Sequence, residues 1–288
     1  MRSAWIAATP ALFVLLWSTG FIGAKLGLPY AEPFTFLLLR FAIMAVLLTA
    51  AALVLRAPWP RTAAAWYHLA VTGLLVQAAY LGGVFAAIHW GVSAGVSALI
   101  VGTQPLLTAV AAGPFLGERI RPRQWLGFLV GIAGVALVVW HKLDLARGDL
   151  AGFVSCLVAL VGITAGTLYQ KRHGGAMDLR TGTAIQFAVS AVPMAALAWT
   201  FETMQVRWTG EFVFALGWLV LVLSVGAITL LWLLIRRGAA AKVASLFYLV
   251  PPVVAVIAYF LFGETLGPLA LAGMALTVVG VALVTRGG

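Results

Sequence analysis

The sequence is poor in cysteine, asparagine and charge. Its 288 residues contain one cysteine, Cys156, which excludes an internal disulfide and a cysteine-ligated zinc site. They contain no asparagine, so no N-glycosylation site exists. Only 9% of the residues are charged, whereas 63% are hydrophobic and the mean hydropathy is +1.08. This composition excludes a water-soluble domain and indicates a membrane protein.

Acidic residues are scarce and lie outside the predicted membrane interior. All eight are in loops or at the ends of apolar stretches: Glu32, Glu118, Asp144, Asp149, Asp178, Glu202, Glu211 and Glu264. Proton-coupled pumps and cation exporters usually carry a carboxylate within the membrane. The distribution therefore disfavours a proton-coupled drug exporter and favours a neutral or zwitterionic solute.

Ten apolar stretches are long enough to cross a bilayer as helices. They cover about residues 5–24, 34–55, 65–88, 92–114, 122–140, 150–170, 180–200, 212–235, 240–262 and 267–285. Because the loops between them are short, the sequence predicts an all-α membrane protein with ten transmembrane helices.

The lysine and arginine residues are unevenly distributed between the two sides of the predicted membrane. With a cytoplasmic N-terminus, 13 of the 18 lysine and arginine residues fall on the cytoplasmic side, four fall on the opposite side, and Arg40 lies inside the second stretch. This asymmetry predicts that both termini are cytoplasmic. It also explains the net charge of +10 without a nucleic-acid partner. The partners we expect are a lipid bilayer and a small solute.

An internal repeat relates the two halves of the chain. Aligning Pro105 with Pro251, and continuing without a gap to Val138 and Val284, gives 13 identities in 34 positions. Each repeat contains five spans, which is an odd number, so the first copy ends on the opposite side of the membrane from where it began. The second copy must therefore cross the membrane in the opposite sense. The sequence predicts two inverted five-helix repeats, residues 1–145 and 146–288, with a substrate site near the midplane where they meet.

Each half contains a Gly-Glu turn followed by a proline. Glu118 and Glu264 lie four residues before prolines that suit the first turn of the next helix. A carboxylate there stabilises the positive N-terminus of a helix, so we expect a structural role, with gating or coupling as the alternative. The first turn reads G-E-R-I-R-P-R and contains three arginines, whereas the second reads G-E-T-L-G-P-L and contains no basic residue. This difference is expected if the first turn is cytoplasmic and the second is external.

The stretch from Trp17 to Lys25, W-S-T-G-F-I-G-A-K, resembles the opening motif of the drug/metabolite transporter superfamily, specifically its EamA-type ten-helix members. Arg40 early in the second span, together with the Pro, Gly-Glu and Gly pattern of each half, extends the resemblance over nearly the whole chain. Within that family the sequence resembles the exporters of amino acids and related metabolites, notably those of the YddG type. The resemblance implies an inner-membrane transporter without a cofactor.

Prolines interrupt both halves near the predicted midplane. Pro105 and Pro251 break spans four and nine, and a mid-span proline frees a carbonyl that needs another partner. Such breaks often adjoin a cavity. We predict that six polar or aromatic residues line it: Trp17, Gln77, Tyr80, Thr103, Gln104 and Tyr248. Hydrogen bonding between helices is the alternative for the amides, and core packing or lipid contact is the alternative for the aromatic residues.

Two further patterns have simple structural explanations. The glycines of spans five and ten give small faces that suit packing within a monomer, with weak dimerisation as the alternative. The segment Gly91 to Gly95 fits the hydrolase pattern G-x-S-x-G at Ser93, but the four histidines lie near span ends and the strand-turn-helix context is absent. We therefore expect no enzyme.

Together these features predict a carrier that exports amino acids, aromatic or other neutral ones among them, by alternating access without proton coupling. Arg40 and Lys25 are interpreted as anchors or carboxylate-binding groups rather than proton relays. The alternatives are a proton-coupled drug or cation exporter, a sugar or nucleotide-sugar carrier and, remotely, a membrane-embedded hydrolase.

Overall fold

The computed structural model describes residues 2–116, 122–142, 150–173, 178–227, 230, 247–265 and 267–285. These residues are helical apart from short connections, and an isolated antiparallel bridge joins Ala31 to Val206. The α-helices are α1 Arg2–Gly27, α2 Pro33–Val54, α3 Ala63–Gly73, α4 Tyr80–His89, α5 Ala94–Val101, α6 Gln104–Leu116, α7 Pro122–Lys142, α8 Leu150–His173, α9 Leu179–Phe201, α10 Gly210–Gly217, α11 Val250–Phe262 and α12 Pro268–Thr285.

Ten apolar helical stretches follow the order of the ten predicted spans. Five are long and apolar enough to cross a membrane: Thr9–Gly27, Pro33–Val54, Ala63–His89, Leu150–His173 and Leu179–Phe201. Five are shorter within the described residues: Ala94–Thr108, Pro122–Val138, Gly210–Ser224, Val250–Phe262 and Pro268–Leu283. The prediction of an all-α membrane fold is confirmed.

Two spans contain π-helical segments. The first π-helix, Leu74–Ala79, joins α3 to α4, and the second π-helix, Trp218–Ala227, continues α10. The 146-residue repeat offset maps the first segment onto residues 220–225, which lie within the second. A π-helix disturbs the regular i to i−4 bonding of the backbone and is frequent at functional sites.

Span four is broken between α5 and α6. The turn at Gly102 leads into α6, and Pro105 lies in the first turn of that helix, where its missing N–H removes no bond. Pro251 holds a similar place in the first turn of α11, after the short 3-10 helix Phe247–Leu249. The two turns meet, because a Cβ atom on Gly102 would lie 2.9 Å from Cγ of Pro251.

Helices of the first half pack mainly against helices of the second half. The α2–α9, α5–α11, α7–α12 and α4–α8 pairs are in contact, and α1 packs on α11 and the second π-helix. In span numbers these contacts include 2–7, 4–9, 5–10, 3–6 and 1–8. If span 1 is exchanged with span 6, span 2 with span 7, and so on up to spans 5 and 10, the same set of pairs results. A pseudo-twofold axis that relates the two halves would produce this pattern.

The α7–α12 pair is held by backbones in close approach. A Cβ atom on Gly134 would lie 2.5 Å from the carbonyl oxygen of Gly273, and a Cβ atom on Gly280 would lie 2.6 Å from that of Gly127. Side chains larger than hydrogen do not fit at such distances. These glycines therefore pack within one chain, as the sequence suggested.

Two loops at one end of the bundle hold each other. The Glu202 carboxylate, after α9, accepts hydrogen bonds from the backbone N–H groups of Phe34 and Thr35 at 2.7 Å each, at the start of α2. The Glu32 carboxylate, before α2, accepts one from the N–H of Thr203 at 2.7 Å. The exchange links the α1–α2 loop to the α9–α10 loop and satisfies N–H groups that a helix start leaves without partners.

The α7–α12 packing gives a testable prediction. We expect Gly134→Val to lower the thermal unfolding midpoint of the purified protein, because the new Cβ would also lie 2.6 Å from the backbone nitrogen of Thr277. Overpacking of this kind costs about 1–3 kcal/mol. Gly217→Ala is the control, since a Cβ atom there would have no atom of another element within 4 Å, and it should not lower the midpoint. An unchanged midpoint for Gly134→Val would contradict the close approach.

Candidate substrate cavity

Two adjoining cavities lie between helices of both halves. The Arg40 chamber has a volume of about 130 Å³, and its wall includes Arg40, Gln77 and Ser224. The Gln104 chamber has a volume of about 300 Å³, and its wall includes Gln104 and Pro105. The chambers share five wall residues, Trp17, Phe21, Val76, Tyr80 and Ile163. We refer to the two chambers together as the central cavity.

The first π-helix brings polar groups to this cavity from span three. Gln77 lies within it and Tyr80 follows at the start of α4, so the local winding decides where both side chains point. Both line the Arg40 chamber, and Tyr80 also lines the Gln104 chamber. An amide and a phenol are thus available to a solute in a space that is otherwise largely apolar.

Trp17 both lines the cavity and packs in the core, the two roles between which the sequence did not decide. It is half-buried and lines both chambers, and it also packs against aromatic neighbours. Its ring lies 5.1 Å from that of Phe247 in an edge-to-face arrangement, and Phe13 completes the group at 5.3 Å from Phe247. Edge-to-face pairs of this kind are favourable, so the Trp17 ring is held in place where it meets the cavity.

Gln104 and Thr103 stand next to each other but have different surroundings. The Gln104 amide donates to the hydroxyl oxygens of Thr108 at 3.1 Å and Thr167 at 3.4 Å while the residue lines its chamber. Thr103 is buried, and its hydroxyl donates to the carbonyl of Ile100 at 2.6 Å. Thr103 therefore satisfies a carbonyl at the helix break and lies beside the cavity rather than in its wall.

Arg40 is the one charged side chain among the described wall residues of the central cavity. It lies about two turns into α2, is 4% exposed, and shares the Arg40 chamber with Tyr80. Its Nε atom is buried and has no hydrogen-bond partner. A guanidinium group stays charged inside proteins, so this chamber is electropositive.

Of the other predicted residues, apart from Glu264, one is described in the structure and two fall wholly or partly outside the described ranges. Pro251 is buried and packs against Gly102 at the helix break. The side chain of Tyr248 lies outside the described part of the structure, and so does the whole of Glu118. Four of the six residues predicted to line the cavity do so among the residues described: Trp17, Gln77, Tyr80 and Gln104.

Glu264 has partners different from those expected from the sequence. Its carboxylate forms an ion pair with Lys25 at the end of α1 and accepts a hydrogen bond from the Ala94 N–H, at the start of α5, at 3.2 Å. Lys25 also lies 4.9 Å from the ring centroid of Phe262. The group therefore joins α1 and α5 of the first half to the turn between α11 and α12 of the second half.

Several wall residues are absent from the sequence prediction. Thr167 and Gln170 of α8 line the Gln104 chamber, and Ser224 of the second π-helix lines the Arg40 chamber. All three are polar residues within apolar stretches, which is the signal that identified Gln77. Phe247 carried no such signal, because an aromatic residue among apolar ones is equally compatible with lipid contact.

Ser93, in the hydrolase-like pattern, has a structural role. It is the N-cap of α5, and its hydroxyl accepts a hydrogen bond from the Val96 N–H at 3.3 Å. In the described ranges, no group of three or more His, Cys, Asp and Glu residues is placed to hold a metal ion. A helix cap explains this serine without any catalytic chemistry.

Comparison with known proteins agrees with this architecture. The model of the EamA-like transporter family matches residues 4–140 and again residues 150–286. A solved structure titled "Crystal structure of protein" superposes with a TM-score of 0.66 at 22% identity, and covers 96% of this chain and 95% of its own, which supports the fold.

Two relatives cover nearly the full length. The chain is 28% identical to the uncharacterized inner membrane transporter YedA of Escherichia coli (strain K12), over 96% of this chain and 90% of that protein. It is 30% identical to the probable terminal-alkyne amino-acid exporter of Streptantibioticus cattleyicolor, over 96% of this chain and 91% of that protein. Family and relatives point to transport rather than catalysis, and the chain belongs to the EamA-like transporter family of membrane proteins.

Proposed function

We propose that this transporter exports neutral amino acids and related small metabolites through the central cavity, by alternating access and without proton coupling. The observation that carries the proposal is the cavity wall, which combines amides, hydroxyls, aromatic faces and one guanidinium. Such groups suit a solute with a polar head and an apolar side chain. The similarity to a protein named as an amino-acid exporter supports the same class of solute.

The charge of the wall favours this solute over cationic drugs. Arg40 places a positive charge in the Arg40 chamber, and none of the described residues that line either chamber is acidic. A cation would enter this space against electrostatic repulsion and without a counter-charge. A zwitterion or a neutral molecule meets no such penalty.

The contacts near Lys25 suggest how access alternates. We propose that the Lys25–Glu264 ion pair forms part of an outer gate, since it ties α1 to the α11–α12 turn and to α5. The basic residues predict that this end faces outward, with both termini cytoplasmic in the inner membrane. Export would then require this ion pair to separate while the two inverted halves rock against each other.

Proton independence is the direct test of the mechanism. We expect the purified protein in liposomes to equilibrate labelled leucine or phenylalanine at symmetric pH in either direction, and to show no accumulation when a pH step alone is imposed. Protein-free liposomes provide the background, and glucose in the same panel tests the sugar-carrier alternative. Uphill amino acid movement driven by the pH step would overturn the uncoupled mechanism.

Gln77 tests whether the cavity is the pathway. We expect Gln77→Ala to weaken apparent affinity in the same assay by about fivefold to 150-fold, because loss of a hydrogen bond that leaves a buried polar group unpaired costs about 1–3 kcal/mol. Gln205→Ala removes the same side chain from an exposed loop position and should transport like the parent protein. Equal kinetics for the two variants would exclude Gln77 from the solute site.

A further inference from the structure

Arg40 is an unusual residue for this environment because its charge is buried and has no opposite charge. It lies inside α2, is 4% exposed, and its Nε atom makes no hydrogen bond. It forms no ion pair with any residue that the structure describes. Charged side chains within membrane spans are rare and normally pair with an opposite charge or with carbonyl groups.

Three carboxylates at the loop ends near the start of α2, the end of α9 and the end of α11 already have other partners. Glu32 and Glu202 accept hydrogen bonds at the loops that flank α2 and α9, and Glu264 is paired with Lys25. The polar residues that share the chamber wall with Arg40 carry no charge at physiological pH; they include Gln77, Tyr80 and Ser224. Within the described ranges, Arg40 is thus a fixed positive charge in a cavity wall with no carboxylate beside it.

A buried positive charge without a partner raises the free energy of the folded protein, and such charges within membrane spans usually mark functional sites. Removing a guanidinium from water costs several kcal/mol even after relaxation, unless an anion or several hydrogen-bond acceptors compensate. The Arg40 chamber has space beside the side chain, about 130 Å³, and it continues through the shared wall residues towards the Gln104 chamber. The missing counter-charge can therefore come from a molecule in the cavity.

We propose that Arg40 binds the carboxylate of the transported solute, so that the transporter selects molecules that carry a carboxylate and rejects amines that lack one. The proposal rests on the function proposed above and makes its substrate class narrower. A guanidinium and a carboxylate form a charge-assisted pair that is often bidentate, which fixes orientation as well as affinity. Arg40 thereby acts as a specificity-determining residue.

This assignment orients the solute. With its carboxylate at Arg40, an amino acid places its ammonium group within reach of the oxygen atoms of Gln77 and Tyr80, which line the same chamber. Its side chain then extends towards the Gln104 chamber, past the aromatic face of Trp17, which both chambers share. The smaller chamber holds the constant part of the molecule, and the larger one holds the variable part.

The first experiment uses the unmodified full-length protein in liposomes and leucine as the probe. Two analogues keep the leucine side chain and remove one charged group each: 4-methylpentanoate lacks the ammonium group, and 3-methylbutylamine lacks the carboxylate. We expect 4-methylpentanoate to compete with labelled leucine and 3-methylbutylamine to compete at least tenfold less well. An amine that competes as well as the carboxylate would overturn the assignment.

A second experiment removes the charge. We expect Arg40→Gln to weaken leucine transport by about tenfold to a hundredfold, the range for loss of a charge-assisted hydrogen bond, and to abolish the preference for 4-methylpentanoate over 3-methylbutylamine. Arg40→Lys keeps the charge and should retain the preference with reduced affinity. Ser224→Ala, a neutral change in the same chamber, should leave the preference intact.

The results separate this inference from the proposed function. If the unmodified protein transports no amino acid, the proposed function fails before Arg40 is tested. If it transports leucine, and Arg40→Gln is purified as a folded protein with unchanged analogue preference, only the carboxylate assignment fails. If Arg40→Gln does not fold, the competition experiment on the unmodified protein still decides the question.

Discussion

The structure depends on one constraint, which is that hydrocarbon offers no hydrogen-bond partners. Every polar group within the spans must find its partner inside the protein or in a cavity. Most of them do so locally: Ser18 donates to the carbonyl of Val14 at 2.7 Å, and Thr164 donates to that of Leu160 at 2.7 Å. Among the described residues, three buried side-chain atoms have no hydrogen-bond partner: the hydroxyl oxygens of Ser97 and Ser190, and Nε of Arg40. Of these three residues only Arg40 is charged and lines the central cavity, so it identifies the place where a bound molecule would complete the bonding.

The same constraint explains where the helices are irregular. A proline, a broken helix or a π-helix leaves backbone groups that lipid cannot satisfy, so such features are confined to the protein interior or to a cavity. Here the break before Pro105 and the first π-helix both border the central cavity. Both helices of the tight α7–α12 pair pack against α6, which begins at this break.

The sequence was sufficient for the features that depend on local pattern. Apolar length predicted the spans, and an isolated amide in an apolar stretch predicted the position of Gln77 in the cavity wall, where the structure places it. The repeat predicted related halves, and the cross-half pairs and the equivalent π-helices support that prediction without deciding it. The division at residue 145 and the inverted topology remain predictions.

Features that depend on distant contacts could not be derived in this way. The partner of Glu264 is 239 residues away in the sequence, so local reasoning assigned its carboxylate to the following helix instead. Nothing in the residues 74–79 signals a π-helix, since their apolar pattern is equally compatible with a regular helix. The sequence could not show that Gln104 lines the cavity and Thr103 does not, because the directions of neighbouring side chains at a helix break depend on the local backbone geometry.

The central claim is that the solute binds in the cavity between the halves, and locating a bound solute tests it most directly. L-Selenomethionine is a neutral amino acid whose selenium scatters X-rays anomalously, so its position can be measured in crystals of protein made with ordinary methionine. Once its transport in liposomes is established, the account predicts a selenium peak in the Gln104 chamber, beyond Trp17 as seen from Arg40. A second pocket lies between α6, α7 and α8, where Leu107, Phe128 and Tyr169 line it. A selenium peak confined to that pocket or to the outer surface would contradict the account.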